Sequence, residues 1–171
     1  VHADALDYPY ETIGLCKVVA NIPYYITTPI IFRLLEAKNI RSITLTIQKE
    51  VAERIVAHPG GKDYGVLSSM VQYRCIAGMK FIVRKQSFRP VPRVDSAVIH
   101  LVMREQPAVV VSDEKFFFRV VKTAFGQRRK TLANSLKPMA ADIKGLLLSI
   151  GIDPMRRPET LSLEEFALLS E

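Results

Sequence analysis

The chain has 171 residues, 49% of them hydrophobic, and 24 Lys and Arg against 17 Asp and Glu give it a net charge of +7. That is enough for one core and a small second domain, and no apolar run approaches the ~20 residues that span a bilayer. Cys16 and Cys75 sit far apart in apolar settings, and His2, His58 and His100 show no ligand spacing, so neither a disulfide framework nor a metal site is expected and a reducing, cytoplasmic compartment is.

In chain order, Lys17-Val18-Val19-Ala20 is a short apolar run that reads as a buried strand. Asn21-Ile22-Pro23-Tyr24 comes next, and Pro23, with no N–H to donate, stops the ladder. An amide, a rigid proline and an aromatic ring are thereby presented together at the C-terminal end of a strand, the edge at which open α/β sheets bind ligands. Asn21 offers one acceptor and two donor functions, and Tyr24 offers a flat face for stacking. Those are the parts that hold an exocyclic amine on a purine or pyrimidine ring. A strand that merely ends in a turn is the competing interpretation.

Thr28-Pro29 reads as an N-cap and then proline at the first helical position, opening a helix through about Ala37 with Ile30, Ile31, Leu34 and Leu35 as its buried stripe. Ser42 to Gln48 alternates as a strand. Lys49 to Ala57 is a helix closed by Pro59-Gly60-Gly61, and Val66 to Arg74 is another. Lys80 to Lys85 and Ser96 to Met103 read as two strands joined by a long loop, Gln86 to Asp95, that carries Pro90 and Pro92. Strand, helix, strand, helix, helix, strand, strand is the order of a parallel sheet with helices packed on it and an antiparallel pair at its edge.

After Pro107 no strand signal appears. Asp113 to Phe125 is amphipathic and stops at Gly126, with phenylalanines 116 to 118 spaced as helix core rather than as stacking platforms. Shorter helices come after it over Lys130 to Lys137 and Asp142 to Ile150, and Ser162-Leu163-Glu164-Glu165 is a capping box opening the last one. Two domains are expected, an α/β domain over 1–106 and a small all-α domain over 107–171.

The charge is segregated. Residues 64–94 carry six basic side chains and no acid, and residues 115–141 carry seven and no acid. This is the footprint of a polyanion-binding surface, and beside a base-holding corner it favours nucleic acid over a merely solvated face.

Further segments fall into line with the corner: Asp4-Ala5-Leu6; Thr27-Thr28-Pro29; Gln48-Lys49-Glu50-Val51-Ala52-Glu53-Arg54; Lys62-Asp63-Tyr64-Gly65; Phe88-Arg89-Pro90-Val91-Pro92-Arg93-Val94-Asp95-Ser96-Ala97; and Ala124-Phe125-Gly126-Gln127-Arg128-Arg129-Lys130-Thr131-Leu132. Asn21-Ile22-Pro23-Tyr24 resembles the fourth motif of amino-group methyltransferases that act on nucleic acids. The whole set, in order along nearly the entire chain, resembles the ribosomal RNA adenine N6-dimethyltransferases of the small-subunit type.

The resemblance implies the C-terminal half of a class I (Rossmann-like) methyltransferase sheet and, after it, a small helical domain. It also implies S-adenosylmethionine as cofactor, no metal, and small-subunit (16S) rRNA in an immature subunit as partner. It implies catalytic roles for Asn21, Pro23, Tyr24 and Phe88, with Tyr24 and Phe88 as aromatic walls around a flipped-out adenine. The Asn21 side-chain oxygen and the carbonyl of Ile22 or Pro23 would accept the amine protons. It assigns Asp4, Ala5 and Asn21 to the cofactor, and Arg89, Arg93, Gln127, Arg128, Arg129 and Lys130 to RNA. Asp4 is equally a turn former on its own chemistry.

The resemblance starts at the third motif. The glycines of Pro59-Gly60-Gly61-Lys62-Asp63-Tyr64-Gly65 lack the strand-before, helix-after context of a cofactor loop. The chain is therefore expected to be the C-terminal part of a longer enzyme, inactive by itself, with an unpaired edge on strand 17–20 that promotes self-association. Two alternatives remain open: the related large-subunit methyltransferases of the macrolide-resistance type, and a non-catalytic RNA-binding assembly protein.

Overall fold

Alternation in the second strand sets the architecture of the first unit. A computed structural model describes all residues, Val1–Glu171. The strands are β1 (Cys16–Asn21), β2 (Ile40–Gln48), β3 (Cys75–Val83) and β4 (Ser96–Met103), ordered β1-β2-β4-β3, with β1 and β2 parallel and the other pairs antiparallel. Ile43, Leu45 and Ile47 of β2 face Leu101, Ile99 and Ala97 of β4 in register, and all six are fully buried. Because side chains alternate, one row of apolar residues per strand is enough to fix that register. Helices α1 (Thr27–Glu36) and α2 (Lys49–Val56) pack on the sheet through Ile30, Ile31, Leu34 and Leu35, and through Ala52 and Ile55. β1 is an edge strand.

Several boundaries differ from the sequence expectation, among them the helix expected over Lys130 to Lys137, which spans only Leu132–Ser135. Helix α1 opens at Thr27 without a side-chain N-cap, because a 3-10 turn over Tyr24–Ile26 runs straight into it; Pro29 still lies within the first turn, where its missing N–H does no harm. Strand β2 starts at Ile40, two residues earlier than its alternating core. Strand β3 begins at Cys75, five residues before the expected start, since pairing with β4 extends as far as Met103. Its register slips between Met79 and Phe81, leaving Lys80 in a bulge.

Two compact units emerge, Val1–Val56 with Arg74–Gln106, and Ala57–Tyr73 with Pro107–Glu171. One boundary falls after Gln106, while the segment Ala57–Tyr73, assigned from sequence order to the α/β part, clusters with the helical part. The reason is aromatic packing. Tyr73 at the end of α3 (Val66–Arg74) stacks on Phe117 of α4 (Glu114–Gly126) with centroids 5.0 Å apart, and Tyr64 meets Phe125 edge-on at 6.0 Å. The second unit is thus all-helical, adding α5 (Leu132–Ser135), α6 (Ile143–Ser149) and α7 (Leu163–Leu168) around this core. Asp113 caps α4 by accepting from the N–H groups of Lys115 and Phe116. The capping box of Ser162 and Glu165 opens α7, where Arg156 pairs with the Glu165 carboxylate and holds its pKa below the ordinary range.

Candidate active site

The end of β1 is built by a chain of local constraints. Buried Ile22 anchors the strand end, Pro23 turns the backbone, and the 3-10 turn Tyr24–Ile26 delivers it into α1. Asn21 and Pro23 remain exposed and Tyr24 half-buried. Opposite lies the loop between β3 and β4, in which Phe88 is half-buried after a 3-10 turn over Lys85–Ser87 and the Arg89–Pro90 peptide is cis. Asn21, Ile22, Pro23, Tyr24, Phe88, Arg89, Pro90 and Pro92 together line one open recess of about 310 Å³. The corner is therefore accessible from solvent, and the four expected catalytic residues share one cavity.

Hydrogen bonding divides the candidate acceptors. The Pro23 carbonyl accepts from the Ile26 N–H at 3.2 Å and from the Thr27 hydroxyl at 3.3 Å, so both of its lone-pair directions are committed to opening α1. Of the two backbone acceptors named from sequence, the Pro23 carbonyl is thus the occupied one.

Tyr24 is fixed at its far end. Its hydroxyl and the Ser96 hydroxyl lie 2.7 Å apart, and Ser96 is fully buried as the first residue of β4. Sequence reasoning saw Ser96 only as part of a motif; the signal that marks it is a polar residue at the head of an apolar strand. Asp95, beside it, closes the long loop: its carboxylate accepts from the Lys85 N–H at 2.9 Å and its carbonyl from the Lys49 N–H at 3.0 Å. Ser96→Ala keeps the fold and frees the Tyr24 ring. In the full-length protein the expected result is a several-fold loss of stacking-dependent RNA binding or turnover, within the ~1–3 kcal/mol that a stacked base contributes. An unchanged KM and kcat would show that the anchor does not matter.

Of the other expected site residues, Arg89 lines the same recess and the rest lie elsewhere. Asp4 forms a turn, its carboxylate accepting from the Leu6 N–H at 2.8 Å and its carbonyl from the Asp7 and Tyr8 N–H groups, and neither it nor Ala5 lines the recess. The Arg89 guanidinium bonds to the Gln86 and Phe88 carbonyls within its own loop. Arg93 lines a neighbouring polar recess with Gln48, Lys49, Lys85 and Asp95. Gln127, Arg128, Arg129 and Lys130 form the exposed turn after α4, with Arg128 bonded to the Lys62 and Tyr64 carbonyls.

The N-terminal segment that carries Asp4 is held by Arg33 of α1. Its guanidinium donates to both Glu11 carboxylate oxygens, at 2.8 and 3.1 Å, and to the Tyr8 carbonyl at 3.0 Å. This bonding lowers the Glu11 pKa from the ordinary 4.5 to about 2. A depressed carboxylate stabilises above its unfolded pKa and loses that contribution as pH falls, so the clasp should hold down to about pH 4.5 and release on approach to 2. In an NMR titration Glu11 should titrate near 2, and near 4.5 in Arg33→Gln; equal midpoints would refute the clasp.

Comparison with known proteins agrees with this geometry. A family model described as ribosomal RNA adenine dimethylase matches residues 4–171. The chain is 48% identical over 179 residues to the ribosomal RNA small subunit methyltransferase A of Clostridium acetobutylicum, covering 100% of this chain and 65% of that protein. It is 53% identical over 162 residues to the protein of the same name from Anoxybacillus flavithermus, covering 90% and 55%. The chain thus spans a little over half to about two thirds of the length of these relatives.

Among solved structures, a dimethyladenosine transferase from Plasmodium falciparum superposes with a TM-score of 0.82 at 23% identity, covering 99% of this chain and 70% of that one. The 23S rRNA methyltransferase ErmE does so with a TM-score of 0.66 at 24% identity, covering 94% and 68%. These two likenesses establish the class I methyltransferase fold. The family match over residues 4–171, with the amide-proline-aromatic corner open at the end of β1, shows that the chain belongs to the ribosomal RNA adenine dimethylase family.

Proposed function

We propose that the protein containing this chain dimethylates N6 of adenine in small-subunit rRNA, with S-adenosylmethionine as methyl donor, while ribosomal subunits are assembled in the cytoplasm. The observation that carries this reading is the single open recess shared by Asn21, Ile22, Tyr24 and Phe88. The adenine N6 lone pair is delocalised into its ring, so the free amine is a weak nucleophile. Acceptors at the Asn21 side-chain oxygen and the Ile22 carbonyl would hydrogen-bond the amine and favour its pyramidal form while the new C–N bond forms and the methyl–sulfur bond breaks, and the amine proton then passes to water. Both are neutral acceptors, and positioning supplies much of the rate, up to ~7–11 kcal/mol for well-oriented reactants. Tyr24 and Phe88 receive a base that has left its stack.

The chemistry of these residues supports an adenosyl group: Asp4 is an exposed carboxylate held in a turn by the Leu6 N–H, suited to accept from an exocyclic amine, Ala5 offers its backbone and Asn21 its amide. Asp4, Ala5 and Asn21 would hold S-adenosylmethionine, whose sulfonium makes its methyl group electrophilic. Arg93, Arg129 and Lys130 would meet phosphates, which position RNA without reading its sequence. The free edge of β1, with Val19 81% exposed, supports self-association of the isolated chain. Sedimentation should then show dimers that Val19→Lys dissolves; a monomer at all concentrations refutes this.

The deciding experiment offers the full-length protein immature small subunits and naked large-subunit rRNA and measures dimethyladenosine by mass spectrometry. Modification of the small-subunit RNA is expected. Modification of the large-subunit RNA alone would establish the macrolide-resistance activity instead, and RNA binding without modification would leave an assembly protein.

A further inference from the structure

The turn after α4 and the glycine loop before α3 are 66 residues apart in sequence, yet one guanidinium joins them. Arg128 donates to the Lys62 carbonyl and, at 3.0 Å, to the Tyr64 carbonyl. Both acceptors are neutral, so the bonds hold the loop without cancelling the Arg128 charge. The loop is fixed at other points as well. The Gly60 N–H donates to the Glu159 carbonyl at 2.6 Å, with Gly60 at φ 92°, a conformation that favours glycine. The Tyr64 N–H donates to the Gly61 carbonyl at 3.2 Å, and the Tyr64 ring is fully buried against Phe125.

A rigid loop therefore displays an exposed Lys62 next to Arg128, with exposed Arg129 and Lys130 directly after it. None of these four cations pairs with a carboxylate, and Asp63 is the one acid among these loop and turn residues. Four unpaired positive charges held on two tied backbones make a surface for a polyanion, whereas a mobile lysine on a free loop would lose conformational entropy on each contact.

We propose that the loop Pro59–Gly65 is a second RNA-contacting element, in which Lys62 meets a phosphate alongside Arg129 and Lys130, and that Arg128 is a positioning residue that sets the loop rather than a phosphate ligand. This rests on the reading of the chain as an rRNA-binding protein. Arginine suits the task because its planar fork reaches two acceptors at once, which a lysine ammonium on a flexible stem does not do at fixed geometry.

The test is binding of the full chain to a 16S rRNA transcript across a salt series. Lys62→Gln and Arg129→Gln should each weaken binding about 5-fold near physiological salt and reduce the slope of log K against log salt by about 0.7–0.9, as loss of one phosphate contact does. Arg128→Lys, which keeps the charge, should lose as much as Lys62→Gln, and the double variant should lose no more than either single one. Unchanged binding in Lys62→Gln with a loss in Arg129→Gln overturns the loop's role, and since Lys62 is exposed that variant folds. Wild-type affinity in Arg128→Lys with a loss in Arg128→Gln makes Arg128 a direct phosphate ligand and overturns the positioning role. Unchanged slopes in both Arg129→Gln and Lys130→Gln would remove the rRNA-binding reading itself.

Discussion

Asn21→Ala in the full-length protein should lower kcat for methyl transfer by about 10²–10³, the effect of deleting one preorganised hydrogen-bonding group at a transition state, and leave RNA affinity nearly intact. The size reflects how few acceptors the recess holds. The Pro23 carbonyl is spent on Ile26 and Thr27, so removing the Asn21 amide leaves the Ile22 carbonyl alone to receive the amine protons. The loss falls on kcat because the amine becomes acidic only as the methyl group arrives, when the acceptor matters most. Stability should change by less than ~0.5 kcal/mol, because Asn21 is exposed at a strand end. Asn21→Asp keeps an acceptor in place and should retain more activity than the alanine variant. Full activity in Asn21→Ala would remove the proposed acceptor and leave the recess as a binding feature only.

Much of this corner was legible in the sequence because its determinants are local. A valine pair, an amide and a proline close together specify a strand that ends and leaves its last side chains on display. Helix α3 and strand β4 likewise start and stop where residue pattern alone puts them. The illegible features depend on partners distant in sequence. The first half of β3, Cys75 to Met79, has a glycine and no clean alternation, and becomes strand because β4 offers it a ladder. The commitment of the Pro23 carbonyl comes from a 3-10 turn that local propensity does not announce. The Tyr24–Ser96 contact spans 72 residues, and Arg128, read from its motif as a phosphate ligand, finds two carbonyls 64 and 66 residues away. Placement of Ala57–Tyr73 with the helical unit belongs to the same class, since it rests on Tyr64 and Tyr73 meeting rings of α4.

That last placement makes Phe117→Ala the largest stability change expected in the helical unit. Phe117 is fully buried, its ring stacked on Tyr73 at 5.0 Å and set edge-on to Phe118 at 5.2 Å. Truncating a buried phenylalanine removes its transfer free energy and leaves a cavity that neighbours fill only in part, at about 3–5 kcal/mol. The aromatic pair is itself worth ~0.5–1.5 kcal/mol beyond burial. Phe116, one residue earlier, is a built-in control: it is half-buried, with the Arg119 guanidinium 4.8 Å from its ring centre, so Phe116→Ala should lose far less. Because Tyr73 lies in the last turn of α3 and its carbonyl accepts from the Ala108 N–H at 2.8 Å, the cavity should also loosen the point where the two segments of this unit join. Urea unfolding of the chain, with protection of α3 amides tracked by hydrogen exchange, reads both effects. A loss below ~1 kcal/mol in Phe117→Ala, or α3 amides as protected as in the parent, would mean that the Tyr73–Phe117 stack does not hold Ala57–Tyr73 to the helical unit.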